Sequence, residues 1–131
     1  MKRSSSYRGL QKNVRGLKTP QIEAWRNQYS DKEYIVDLNI PEFTCICPKT
    51  GLPDFATINL RYKPDKWCIE LKSFKSYIVF YRNVGIFHEH VVNKMLDDFV
   101  KACKPRWAHI SMVFNPRGGI TTSVEAEYKV K

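Results

Sequence analysis

The chain has 131 residues, 43% hydrophobic, 27% charged and 13% aromatic, which suits one folded domain around one core and excludes a disordered polar chain. Its formal charge of +9 raises nucleic acid as a partner, but Lys2, Arg3, Arg8, Lys12, Arg15 and Lys18 stand in an acid-free first 20 residues, leaving 16 basic against 13 acidic residues beyond them. No segment reaches the roughly 18 apolar residues of a membrane helix, and the start lacks the apolar stretch of a secretory signal, so no membrane partner is expected and the setting reads as cytoplasmic.

Residues 1–32 show no sustained period and read as a basic arm, solvated or touching a partner in preference to RNA, with a short helix around Ile22 to Tyr29. An acid-free start rich in Arg and Ser also has the composition of a transit peptide, without the amphipathic face. The folded domain is expected over residues 33–131. It begins with an extended stretch from Tyr34 to Ile40, closed by Pro41. Residues Phe55 to Tyr62 alternate, placing Ala56, Ile58, Leu60 and Tyr62 on one face of a strand, and Trp67 to Glu70 should return from the Lys63–Lys66 turn as a hairpin.

Phe74, Ile78 and Tyr81 recur at helical spacing between Leu71 and Val84, with Gly85 as the stop. A second helix over His88 to Cys103 carries Val91, Val92, Met95, Leu96, Phe99, Val100 and Cys103 on one stripe, with Asn93, Lys94, Asp97, Asp98 and Lys101 facing out. The tail alternates on both sides of Pro116-Arg117-Gly118-Gly119 and predicts a second hairpin. The order ββααββ predicts an α+β domain, an antiparallel four-stranded sheet with both helices on one face. The uncovered face and edges would be protected by assembly into a ring, with sites between subunits.

Three clusters could carry chemistry. In Cys45-Ile46-Cys47-Pro48-Lys49-Thr50-Gly51-Leu52-Pro53-Asp54, the prolines and glycine fix a loop able to present Cys47. There Lys49 could lower the thiol pKa and Asp54 could carry a proton. The competing reading makes these cysteines small buried side chains, which suits Cys103 on its helix stripe. In Phe87-His88-Glu89-His90, Glu89 either complements a helix N-terminus or accepts two hydrogen bonds from one edge of a guanine-like base, with Phe87 packing beside it. In the third cluster, from Glu70 to Tyr77, Lys72 and Lys75 together with Arg82 form a basic helix stripe, solvated or suited to phosphates. There is no G-x-G-x-x-G for a Rossmann-type cofactor site. The cysteine spacing offers no Cys-x2-Cys pair, so no metal is expected and reduced thiols are the default.

Taken together, the segments Phe43 to Phe55, Glu70 to Tyr77, Phe87-His88-Glu89 and Pro116 to Gly119 resemble the short form of the 7-cyano-7-deazaguanine reductases, over roughly residues 33 to 128. The resemblance implies the tunnelling fold and reduction of the nitrile of 7-cyano-7-deazaguanine to an aminomethyl group, within queuosine tRNA modification. It implies Cys47 as the nucleophile of a covalent thioimide, Asp54 as acid and base, and Glu89, His88 and Phe87 as substrate-binding residues. It implies NADPH held by Glu70, Leu71, Lys72, Ser73, Lys75 and Tyr77, and a homo-oligomer of stacked rings, a decamer. Ser76 departs from the larger residue that the family's cofactor segment usually carries. The alternatives are a related archaeal branch that transfers ammonia to the nitrile already in tRNA, and a basic RNA-binding module with structural cysteines.

Overall fold

The computed structural model describes residues 13–130. Of the basic residues assigned to the arm, Lys2, Arg3, Arg8 and Lys12 lie outside the described residues. The elements are β1 (Ala24–Arg26), β2 (Val36–Ile46), β3 (Pro53–Lys63), β4 (Trp67–Ile69), α1 (Leu71–Phe80), α2 (His88–Cys103), β5 (Trp107–Arg117) and β6 (Ile120–Lys129). The expected antiparallel sheet is present in the order β2-β3-β5-β6. Among the described residues no helix is long and apolar enough to cross a membrane.

Alternation decides which sheet face is covered. Ala56, Ile58, Leu60 and Tyr62 of β3 and Ala108, Ile110, Met112 and Phe114 of β5 are buried, and they form one core with Phe74, Tyr77 and Ile78 of α1 and Val91, Val92, Met95 and Phe99 of α2. Tyr62 meets Phe99 edge-on at 4.8 Å between ring centroids, and Phe43 meets Tyr81 at 5.8 Å, so both helical segments lie on the same face. Leu60 is fully buried in a central strand. Leu60→Ala is expected to cost about 2–5 kcal/mol, read as a lower urea midpoint with an unchanged denaturant slope.

Five local expectations are corrected. Pro41 does not close the first strand: β2 runs through it, and the register slips between Ile40 and Phe43, so three residues of β2 span two of β3. The bulge accommodates a residue with no N–H to give the ladder. The short helix expected over 22–29 is instead β1, paired antiparallel with β4, while Ile22 joins the core. Consequently Trp67–Ile69 does not form a hairpin with β3; its partner comes from the segment read as an arm, where Trp25 Nε1 also donates to the Ile69 carbonyl at 3.1 Å. Lys94 does not face out but is buried, its Nζ 3.1 Å from Asp98 Oδ1 and 3.3 Å from the Arg15 carbonyl, because residues 13–17 lie over that side of α2. Finally, Gly85 does not stop the first helix. It ends at Phe80, tightens into a 3₁₀ turn over Tyr81–Asn83, and leaves Gly85 to bridge Ile46 in parallel.

Candidate active site

Two bulges aim the site. Because β2 gains one residue between Ile40 and Phe43, the inward side passes from Val36, Leu38 and Ile40 to Phe43 and Cys45, and the same alternation carried past the strand end reaches Cys47. Without the extra residue the opposite set would face the helices. Cys45 stands directly across from Asp54 in the β2–β3 ladder and is fully buried. The chain then turns tightly, with the Cys47 N–H donating to the Leu52 carbonyl at 2.8 Å and the Gly51 N–H to the Cys47 carbonyl at 2.9 Å. Gly51 has φ of 74°, which favours a residue with no side chain.

The linker between the helices brings the second cluster to this turn. Ile46 donates to the Val84 carbonyl and Ile86 to the Ile46 carbonyl, at 2.9 and 3.0 Å, so Phe87, His88 and Glu89 emerge beside Cys47. Cys47, Asp54, Phe87, His88 and Glu89 line one cleft of about 450 Å³ together with Pro48, Thr50, Ile86, Arg117 and Gly118. The first two sequence clusters are thus joined in space.

Asp54 is the buried centre of this cleft. Its Oδ2 accepts from His88 Nε2 at 3.0 Å and its Oδ1 from Arg117 Nη1 at 2.7 Å. The His88 ring stacks on Phe114 with centroids 3.6 Å apart and planes within 5°. Carboxylate and imidazole are therefore both fixed in direction. Arg117 belongs to the Pro116–Gly119 turn, but nothing in its local sequence points it at Asp54; its direction depends on cross-strand register.

Of the four cysteines only Cys47 is not buried. Burial pushes its thiol up, but hydrogen bonds from the Thr50 hydroxyl and from the backbone N–H groups of Thr50 and Lys49 outweigh this and leave it below the ordinary thiol value. Lys49 thus acts on the sulfur through its backbone N–H. By contrast Cys45 is pushed up to about 12, chiefly by burial and then by the negative charge of Asp54, and Cys103 to about 12 by burial. Since thiolate is the reactive form, iodoacetamide should label Cys47 first, with a half-maximal rate at a pH below that of an ordinary thiol. Thr50→Val, which removes the hydroxyl, should move that midpoint upward, as followed by peptide mass spectrometry.

The third cluster lies apart from this cleft. Glu70 caps α1, accepting from the Ser73 N–H at 2.7 Å and the Lys72 N–H at 2.9 Å. The Ser73 hydroxyl donates to the Glu70 carbonyl and accepts from the Glu23 N–H, each at 2.8 Å. Tyr77 is fully buried, its hydroxyl 2.6 Å from Asp98 Oδ2 and 2.9 Å from the Tyr81 hydroxyl. Leu71, Lys72, Lys75 and Ser76 point outward, and among the described residues neither lysine is in a salt bridge. The cluster thus divides into an inner half that builds α1 and an outer, cationic half.

Comparison with known proteins bears on the family and the fold. A family model described as QueF-like protein matches residues 53–131. Curated proteins named NADPH-dependent 7-cyano-7-deazaguanine reductase are similar along most of the chain: that of Elusimicrobium minutum is 51% identical over 114 residues, 87% of this chain and 86% of its own. That of Chloroherpeton thalassium is 51% identical over 115 residues, 88% of this chain and 99% of its own, and that of Nitrosomonas eutropha 54% identical over 111 residues, 85% and 80% of the two chains. Among solved structures, the archaeosine synthase QueF-Like in its apo form superposes with a TM-score of 0.67 at 22% identity, over 71% of this chain and 91% of that one, a likeness of fold. The sheet with both helices on one face is the tunnelling fold, and the chain belongs to the QueF-like family, that of the NADPH-dependent 7-cyano-7-deazaguanine reductases.

Proposed function

We propose that the chain reduces the nitrile of 7-cyano-7-deazaguanine to the aminomethyl group, in queuosine tRNA modification, with NADPH as hydride donor. The observation that carries this reading is the cleft in which the one accessible, acidified thiol, Cys47, shares a wall with the buried carboxylate of Asp54 and with Glu89. Cys47 gives its proton to Asp54, and the sulfur bonds to the nitrile carbon. Asp54 then passes the proton to the nitrile nitrogen, leaving a thioimide with S–H added across C≡N. NADPH, bound once in each of two rounds, would supply one hydride to that carbon each time. In the first round a further proton relayed through His88 and Asp54 goes to the nitrogen; the C–S bond then breaks, the sulfur leaving as the thiolate and the carbon remaining as a protonated imine for the second hydride.

Glu89, in the first turn of α2, accepts from the N–H and amino group on the purine edge, and Phe87 packs against the ring. His88, held between Phe114 and Asp54, keeps the carboxylate aimed and relays protons. The outward face of α1 suits an anionic dinucleotide, because Lys72 and Lys75 stand exposed on a helix whose first turn has no acid. Glu70, Ser73 and Tyr77 support that face from within, and Leu71 flanks it. The reading includes a stacked ring assembly, a decamer, in which the α1 face of one copy approaches the cleft of another. Exposed Phe55 and Val113 on the open sheet face, and Leu71 on α1, are apolar surface for such contacts.

The amidinotransferase alternative draws only on likeness of fold, and an RNA-binding module gives no reason for an acidified thiol facing a clamped carboxylate. The test is to mix the protein with the nitrile base and NADPH and follow NADPH absorbance. Oxidation of two NADPH per nitrile is expected. No nitrile-dependent oxidation, or amidine formed without NADPH, would overturn the reading.

A further inference from the structure

Arg117 ends β5, before a hairpin in which Gly118 and Gly119 take φ of 60° and 83°. The β5–β6 register pairs Phe114 with Thr122 and then Arg117 with Ile120, so β5 spends three residues where β6 spends two. The extra residue at Asn115–Pro116 turns Arg117 to the same sheet face as Phe114; in an unbroken alternation it would point to the other side. Its guanidinium reaches Asp54 at 2.7 Å, with the Arg side chain 37% exposed and the Asp side chain 6%. Asp54 thus has one oxygen on α2 through His88 and the other on β5 through Arg117.

The titratable and charged groups around Asp54 and Cys47 are Cys45 from β2, Lys49 from the turn, His88 and Glu89 from α2, and Arg117 from β5. Of these, Arg117 is a permanent cation in direct contact with the carboxylate. A buried carboxylate near a sulfur that must become a thiolate opposes that ionisation, and Asp54 does act on Cys47 in that sense. Something must offset its charge while leaving it able to accept a proton.

We propose that Arg117 is a positioning residue for Cys47 and Asp54: it holds the Asp54 side chain in a fixed orientation and offsets its charge towards the sulfur. The role in turnover rests on the function proposed above, whereas the charge arrangement is readable without substrate. The experiment measures iodoacetamide labelling of Cys47 against pH in the full chain and in Arg117→Ala, Arg117→Lys, Asp54→Asn and the Arg117→Ala/Asp54→Asn double variant, each checked for folding by its urea transition. In Arg117→Ala the unshielded Asp54 should move the labelling midpoint up by about one pH unit. Arg117→Lys should restore most of it, and the double variant should return to near the parent value, since the charge to be offset is gone.

In turnover the same loss should lower kcat more than it raises the KM for either substrate. An unmoved midpoint in Arg117→Ala, or an equal shift with and without Asp54, would overturn the proposal. So would a change confined to the KM for NADPH, which would make Arg117 a contact for the dinucleotide instead. A parent protein that labels as expected but forms no adduct with the nitrile base would reject the proposed function and leave this charge arrangement to be judged on labelling alone.

Discussion

Cys47→Ala is expected to abolish nitrile-dependent NADPH oxidation, a fall on the order of 10⁴-fold or more, with little change in fold. The side chain is the proposed nucleophile, and removing it removes the bond on which the later steps are built. No neighbouring thiol can take its place. Cys45, two residues away, is fully enclosed and held protonated with a value of about 12, by burial and by the charge of Asp54. Cys103→Ala, on the buried stripe of α2, is the matched control: it should lower stability by about 1 kcal/mol and keep turnover. Parallel rate measurements and urea transitions check both, and turnover in Cys47→Ala within tenfold of the parent would contradict the account.

Asp54→Asn is expected to lower kcat by about 10²- to 10⁴-fold, the usual range for losing a positioned acid and base. The carboxylate faces two donors, His88 on one oxygen and Arg117 on the other. An amide has a single oxygen, so one donor loses its acceptor, and the group can no longer make the proposed transfer of the thiol proton to the nitrile nitrogen. Alkaline pH should not rescue the variant. There the thiol is ionised in parent and variant alike, but the nitrile nitrogen still lacks its proton donor, so neither adduct formation nor turnover in Asp54→Asn should recover to the parent rate. Single-turnover adduct formation and steady-state rates across a pH series test this, and full recovery of turnover at high pH would remove Asp54 from proton delivery.

Elements that carry their own period were legible in the sequence. The span His88–Cys103 agrees with the helix expected from its apolar stripe, and Ala56, Ile58, Leu60 and Tyr62 are buried as their alternation implied. What depends on a partner strand was not. Pro41 reads locally as an end, and only the pairing of Ile40 with Ile58 and Phe43 with Ala56 reveals a bulge that keeps Cys45 on the inner face. Ala24–Arg26 has too few residues to show a period, and its pairing with β4 crosses more than 40 positions. Lys94 looked solvated because its cover, residues 13–17, is remote in sequence. The residue types of the cleft were legible at Cys47, Asp54, Phe87, His88 and Glu89, whereas Arg117 gains its place from a register shift that a turn motif does not record.

The central claim is that a sulfur at position 47 becomes bonded to the nitrile carbon of the base. It is tested most directly by incubating the protein with 7-cyano-7-deazaguanine in the absence of NADPH, then measuring intact mass and mapping the modified peptide. The account predicts a gain equal to the whole nitrile base, carried by the peptide containing Cys47, absent in Cys47→Ala and discharged on adding NADPH. An unmodified protein under conditions where turnover proceeds, or an adduct on Cys45, Cys68 or Cys103, would contradict it.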